Sequence, residues 1–137
     1  MRRRDFLALT ATVSLALATG LRAEDVVYTP GLVAERLAKG ETLFVDFYAS
    51  WCSTCAAQHR AIDAIRAENP AYEKAITFVT VDWDTYQDDK LTRGLKIPRR
   101  STLVVLKGDK ELGRIVAGTS RDEIKALMDK ALGAAGA

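Results

Sequence analysis

The sequence predicts an α/β sandwich with a mixed sheet, and three observations support this fold class. An apolar run over residues 42–48 is followed by a segment with helical spacing and then by a second apolar run over residues 76–81. Two strand-like segments, residues 102–106 and 112–117, are separated by a short turn, and a capping box precedes a last amphipathic segment. Parallel strands need a crossover helix, whereas a hairpin is antiparallel, so the sheet contains both pairings.

The first half of the chain is predicted to contain two helices around a central strand. Thr29-Pro30 has the features of a helix start, and this helix ends at Gly40. Residues 42–48 are almost continuously apolar, as expected of a strand that is covered on both faces. Helical spacing begins at Ser53, and Asn69-Pro70 ends the second helix. Its predicted buried face carries Ala57, Ala61, Ala64 and Ile65.

The second half predicts a further strand, a weak helix, a hairpin and a closing helix. Residues 76–81 indicate a buried strand, and the polar stretch from Asp84 to Gly94 indicates a weakly patterned helix. Residues 107–110 have the composition of a hairpin turn. The capping box Ser120-Arg121-Asp122-Glu123 starts the last helix, whose apolar positions are Ile124, Leu127, Met128 and Ala131. The predicted order is α-β-α-β-α-β-β-α, in one domain.

The first 23 residues have the layout of an export signal. Three arginines at positions 2–4 precede an uncharged run from Phe6 to Leu21. This run is short and contains several hydroxyl residues, whereas a membrane span needs about 20 apolar residues. We therefore expect cleavage after Ala23, with the Ala16-Leu17-Ala18 triplet as the alternative site, and no stable membrane insertion.

The start Arg3-Arg4-Asp5-Phe6-Leu7 resembles the twin-arginine signal, which directs folded proteins to a bacterial export machine; an ordinary secretory signal is the alternative. Both predict a periplasmic domain of residues 24–137. Removal of residues 1–23 takes away four Arg and one Asp, so the formal net charge of +2 becomes −1. Nucleic acid and an anionic membrane surface are not expected as partners, because both need a concentrated basic patch.

The chain has only two cysteines, Cys52 and Cys55, and they form a C-x-x-C motif. A disulfide-stapled fold normally has four or more cysteines, and so small a loop constrains the unfolded chain little, so reactivity explains the pair better. If Cys52 starts a helix, unpaired N–H groups and the helix dipole lower its pKa, while Cys55 lies about one turn further along. We therefore expect Cys52 to be the nucleophile and Cys55 the resolving thiol of thiol–disulfide exchange.

Two other interpretations of the pair remain open. The cysteines could form an inert bridge, or they could hold a metal together with His59, the only histidine, which lies four residues after Cys55 on the same helix face. Haem attachment is excluded, because the residue after the motif is Ala56 and not histidine. Asp82 and Asp84 fit a strand end followed by a helix cap better than an acidic metal site.

The segment Val45–Cys55, which reads VDFYASWCSTC, resembles the active-site strand and turn of the thioredoxin family. With the element order, the resemblance covers roughly residues 26–133. It implies the thioredoxin fold, a three-layer sandwich with a central mixed sheet flanked by helices. It also implies that Trp51 helps to form the partner-docking surface and that Asp46 is a buried acid with a raised pKa, which accepts the proton of Cys55.

One loop departs from the family pattern. Relatives carry a cis-proline before the strand that starts here at Thr102, and this chain has Ser101 at that place. A cis bond before serine costs about 3 kcal/mol, so the loop is expected to be trans or rebuilt. The backbone of Ser101 and Thr102 could still pair with an extended partner segment. Arg99 and Arg100 in the same loop could stabilise a Cys52 thiolate or attract an acidic partner.

These observations predict a periplasmic thiol–disulfide oxidoreductase, more a reductase than an oxidant, that exchanges electrons with protein cysteines and is recycled by a redox partner. Thr80 occupies the place of a lysine in thioredoxin, so proton transfer is expected to be tuned differently. The protein is expected to be a monomer without cofactor or metal. The alternative is a metal-binding or metal-delivery module that uses Cys52, Cys55 and His59, which the loss of the proline would favour.

Overall fold

A five-stranded mixed sheet with helices on both faces forms the fold of residues 25–136, which are the residues that the computed structural model describes. The predicted export signal lies outside this range. The strands are β1 (Val26–Val27), β2 (Thr42–Tyr48), β3 (Thr77–Asp82), β4 (Thr102–Lys107) and β5 (Lys110–Val116). The helices are α1 (Leu32–Ala38), α2 (Ser53–Glu68), α3 (Ala71–Ala75), α4 (Trp83–Tyr86), α5 (Lys90–Gly94) and α6 (Arg121–Ala135). The predicted α/β class is confirmed.

The strands lie in the order β1-β3-β2-β4-β5, which makes β2 the central strand. β1 and β2 run parallel to β3, whereas β4 is antiparallel to both β2 and β5. Every residue of β2 except Tyr48 is buried, as its continuous apolar sequence predicts. The register between β2 and β3 pairs Asp46 with Thr80. The carboxyl end of the central strand therefore leads directly into the loop that carries the first cysteine.

Two hydrophobic cores, one on each face of the sheet, produce the three layers. Side chains alternate between the faces along a strand, so Phe44 of β2 packs into one core and the next residue, Val45, into the other. The first core joins the sheet to α2 and α6 through Ile62, Ile65, Ile124, Leu127 and Met128. The second core covers the opposite face with Val33, Leu37, Trp83, Tyr86 and Leu91.

Four local features differ from the sequence prediction. β1 has only two residues, too few to show a period, and it is held by pairing with β3. Pro70 ends α2 as expected, but its φ of −65° also suits a helix start, and α3 follows it. The helix predicted over residues 84–94 is split into α4 and α5, because Asp89 adopts an extended conformation and its carboxylate accepts a bond from the N–H of Leu91. The predicted hairpin turn is shorter than expected, with only Gly108-Asp109 between paired strands.

The buried face of α2 differs from the predicted one. Ala64 is exposed, and the residues that this helix buries are Cys55, Gln58, Ile62, Ile65 and Arg66. Large side chains determine which face packs against the sheet, because they bury more apolar surface than alanine.

α2 has 16 residues, and no helix within residues 25–136 is both long and apolar enough to cross a membrane.

Candidate functional site

Cys52 lies at the N-terminus of α2, immediately after the loop that leaves the central strand. Its backbone is extended, with φ −92° and ψ 114°, while its carbonyl already accepts the first bond of the helix, from the N–H of Ala56 at 3.1 Å. The Sγ atom takes the place of a capping oxygen and accepts a bond from the N–H of Cys55 at 3.2 Å. The sulfur therefore lies where the helix presents positive charge, as the sequence predicts.

The thiol of Cys52 has a pKa well below its ordinary value of 9.0. Burial alone would raise this pKa, since Cys52 is only 4% exposed. Hydrogen bonds from the Cys55 thiol, the Ser101 hydroxyl, the N–H of Cys55 and the Arg100 side chain outweigh burial and lower the pKa to about 6. Cys52 is therefore mainly a thiolate at neutral pH.

Cys55 has the opposite character. It is fully buried, and both this burial and its hydrogen bond to Cys52 raise the pKa of its thiol. The two cysteines are reduced in this structure. A thiolate is the attacking species in exchange, so the difference in pKa favours Cys52 as the nucleophile and leaves Cys55 protonated until the mixed disulfide must be resolved.

The lowered pKa predicts the pH profile of alkylation. For the reduced domain, the rate of reaction of Cys52 with iodoacetamide should rise as the pH increases through about 6 and reach a plateau above it, because only the thiolate reacts. The Cys55→Ala variant, measured in parallel, isolates the reaction at Cys52 and should show a higher midpoint, since the bond from the Cys55 thiol is lost. A midpoint above pH 8 in the unsubstituted domain would contradict this assignment.

Ser101 lies between the two sulfurs. Its Oγ atom is 3.2 Å from the Sγ of Cys52 and 3.0 Å from the Sγ of Cys55, and the residue is fully buried. Within residues 25–136 every peptide bond is trans, which agrees with the expectation of a trans or rebuilt loop. Ser101 has a φ of +64°, which a proline cannot adopt because its ring holds φ near −65°. The serine therefore belongs to a differently built loop.

The backbone of Ser101 is already used inside the fold. Its N–H donates to the carbonyl of Phe47 at 2.8 Å, and its carbonyl accepts from the N–H of Ala117 at 2.9 Å and from the amide of Gln58 at 2.9 Å. Thr102 is also fully buried and pairs with strands on both sides. The expectation that Ser101 and Thr102 pair with an extended partner is therefore corrected, because their backbone groups are occupied.

Asp46 is buried, 5% exposed, and bonds to a histidine. Its Oδ2 lies 2.5 Å from the Nε2 of His59, whose ring stacks on Tyr48. Burial raises the pKa of Asp46 although the bond from His59 opposes this, and the bond to Asp46 raises the pKa of His59. Among the hydrogen bonds of residues 25–136, none joins Asp46 to Cys55. The proton-accepting role expected for Asp46 stays a prediction.

The alternative of a metal site receives no geometric support. His59 lies on the helix that carries Cys55, but its Nε2 is directed at Asp46. No group of three or more His, Cys, Asp or Glu side chains is arranged to hold a metal ion in the part of the chain that the structure describes. The side chain that contacts both cysteine sulfurs is the hydroxyl of Ser101.

Trp51 forms an exposed aromatic surface beside Cys52. The side chain is 60% exposed, its indole N–H donates to Oδ2 of Asp84 at 2.8 Å, and the guanidinium of Arg100 lies 4.4 Å from the centre of its ring. These contacts hold a large flat group in place without covering it, which suits a docking surface. The side chain of Arg99 donates to the carbonyl of Arg100.

Three residues of the site were not expected from the sequence in these roles. The sequence predicts Asp84 to be part of a helix cap, whereas in the structure its carboxylate accepts the bond from the Trp51 indole. Gln58 is a fully buried amide that joins the carbonyls of Ser101 and Gly118, each at 2.9 Å. The sequence feature that could have indicated Gln58 is a polar residue among the apolar positions of α2. His59 was considered as a metal ligand and is instead the partner of the buried acid.

Comparisons with known proteins agree with this geometry. The family model described as Thioredoxin matches residues 27–130. A thioredoxin from Echinococcus granulosus is 35% identical over 99 residues, which cover 72% of this chain and 86% of that protein. A thioredoxin from Chlamydia trachomatis serovar D is 29% identical over 97 residues, covering 71% of this chain and 88% of that protein.

Solved structures extend the same relationship. The crystal structure of Trxlp from Edwardsiella tarda EIB202 superposes with a TM-score of 0.64 at 28% identity and covers 75% of this chain and 98% of that one. Deadhead, a germline-specific thioredoxin from Drosophila melanogaster, has a TM-score of 0.62 at 21% identity, covers 78% of this chain and 98% of its own, and supports the fold. The chain belongs to the thioredoxin family and is a thiol–disulfide oxidoreductase.

Proposed function

We propose that this protein is a periplasmic reductase of protein disulfides. Cys52 attacks a disulfide of the substrate protein, Cys55 resolves the mixed disulfide, and a separate redox partner reduces the Cys52–Cys55 bridge. The asymmetry of the two thiols supports this proposal most, since the pKa of Cys52 is lowered to about 6, whereas the pKa of the fully buried Cys55 is raised. The signal-like N-terminus supports an exported location, and the chemistry of the pair needs no cofactor.

The pKa of Cys52 also supports the direction of electron flow. A low pKa stabilises the reduced form and makes a pair more oxidising. The nucleophile of thioredoxin has a pKa of about 7, and that of the oxidant DsbA about 3.5. The value of about 6 for Cys52 is nearer to the reductase. The exposed Trp51, with the half-buried Arg100 beside its ring, provides a surface for a protein substrate, and this surface is open in a monomer.

The reduction potential tests the proposed direction. Equilibration of residues 24–137 with thiol–disulfide buffers should give a potential between that of thioredoxin, about −270 mV, and that of protein disulfide isomerase, about −180 mV. The same domain should reduce insulin disulfides with a dithiol as electron donor. Cys55→Ala is the matched control, because it cannot form the internal bridge and should show no such transition. A potential near that of DsbA, about −120 mV, would contradict a reductase.

A further inference from the structure

Ser101 is placed to contact both reacting atoms at once. Its buried Oγ lies 3.0 Å from the Sγ of Cys55 and 3.2 Å from the Sγ of Cys52. A hydroxyl has one donor hydrogen and two acceptor lone pairs. It can therefore accept a hydrogen bond from the Cys55 thiol while it donates its own hydrogen to the Sγ of Cys52.

The fold holds this hydroxyl in a conformation that serine rarely adopts. The φ of Ser101 is +64°, and such strain persists only where the surroundings impose it, often at functional sites. Here three hydrogen bonds hold the Ser101 backbone in this conformation. The Ser101 N–H donates to the carbonyl of Phe47, and the Ser101 carbonyl accepts from the N–H of Ala117 and from the side-chain amide of Gln58. Gln58 is thus a positioning residue for Ser101.

Resolution of the mixed disulfide requires the buried Cys55 thiol to lose its proton. Burial raises the pKa of this thiol, so an acceptor in contact with it is needed. The acid expected to accept the proton, Asp46, bonds to His59, and no hydrogen bond joins it to Cys55 among the described residues. The hydroxyl of Ser101 is in contact.

We propose that Ser101 is a catalytic residue whose hydroxyl relays a proton from Cys55 to the sulfur that leaves Cys52. In the step, the S–H bond of Cys55 breaks, its proton moves to Ser101 Oγ, and the hydroxyl proton of Ser101 moves to the leaving sulfur. The Cys55–Cys52 disulfide forms as the bond between Cys52 and the partner breaks, and the electron pair of that bond goes to the partner sulfur, which becomes a thiol. The cysteine pair is oxidised, the partner is reduced, and Ser101 is regenerated.

This inference rests on the proposed reductase function, because it concerns resolution by Cys55 in the direction that releases a partner thiol. Its test measures the rate of that single step with defined disulfides. The reduction potential tests the direction independently of the relay. Failure of one can therefore be distinguished from failure of the other.

The experiment compares leaving groups that differ in their need for a proton. Reduced protein is mixed with a dialkyl peptide disulfide or with a diaryl disulfide, whose leaving thiol has a low pKa, and release of the second thiol is followed by stopped flow. The variants are Ser101→Ala and Ser101→Gly, which both lack the hydroxyl, while glycine accepts a φ of +64° without strain. Thr92→Val is the matched control, since it removes another buried hydroxyl, bonded to the carbonyl of Tyr86.

We expect Ser101→Ala and Ser101→Gly to slow resolution of the dialkyl mixed disulfide by about a hundredfold, the lower range for positioned proton transfer. With the diaryl disulfide the slowing should be at least about tenfold smaller, because an aryl thiolate leaves without a proton, so that only the deprotonation of Cys55 still depends on Ser101. Thr92→Val should resolve both at the unsubstituted rate. Equal slowing for the two disulfides, unchanged rates, or a normal rate in Ser101→Gly would overturn the relay. If Ser101→Ala does not fold, Ser101→Gly alone decides between these outcomes.

Discussion

Replacement of Cys55 by alanine should turn the protein into a trap for its partners. Cys52 keeps its position at the helix N-terminus and its bond from the N–H of residue 55, so it should still attack a disulfide. The mixed disulfide then has no neighbouring thiol to resolve it, so turnover should fall by several orders of magnitude. The measurement is insulin reduction by the purified domain, with non-reducing electrophoresis to detect the covalent adduct.

The full chain carrying Cys55→Ala also tests the compartment and the direction proposed above. Expressed in bacteria, it should accumulate adducts with exported proteins that contain disulfides. Cys52→Ala is the matched control and should form no adduct, because the remaining thiol, Cys55, is fully buried and has a raised pKa. Unchanged turnover by Cys55→Ala, or adducts of equal amount from Cys52→Ala, would contradict the assignment of nucleophile and resolving thiol.

Replacement of Arg66 by methionine should produce a large loss of stability. The guanidinium of Arg66 is only 2% exposed and donates to both carboxylate oxygens of Glu73, at 2.5 and 3.0 Å, and to Asp25 at 2.6 Å. It also lies 3.8 Å from the centre of the Phe78 ring. Methionine retains apolar contact with the ring but removes every charged bond. Because removal of the buried partner of an ion pair is strongly destabilising, the free energy of unfolding should fall by about 3 kcal/mol.

Urea unfolding measures this effect as a shift of the midpoint at unchanged slope. Arg121→Met is the matched control, since Arg121 forms an ion pair with Glu68 at the surface, where the two side chains are 46% and 55% exposed. An exposed pair contributes less than about 1 kcal/mol, so this variant should unfold almost as the unsubstituted protein does. Equal losses in the two variants would show that burial of the Arg66 pair does not determine its contribution.

Both predictions concern residues of α2, and local features of the sequence predict part of the site on this helix. The helix start at Cys52, the spacing to Cys55 and the apolar strand before them are local features, and each was visible within about a dozen residues. The prediction for the buried face of α2 is wrong at Ala64, which is exposed. Alanine suits either face, and only the packing of Ile62, Ile65 and Arg66 decides between them.

Fold class, family and reactive pair could be predicted from the sequence, because periodicity, capping and the C-x-x-C spacing act between near neighbours. That Cys52 attacks and Cys55 resolves stays a prediction. The surroundings of the sulfurs, in contrast, depend on contacts between distant parts of the chain. Ser101 is 46 residues from Cys55, and Asp84 is 33 residues from Trp51, so no local pattern could bring either pair together. The missing proline is visible in the sequence, but the contact of the serine hydroxyl with both sulfurs depends on three hydrogen bonds of the Ser101 backbone. Its partners are the Phe47 carbonyl of β2, the Gln58 side chain of α2 and the N–H of Ala117, just after β5.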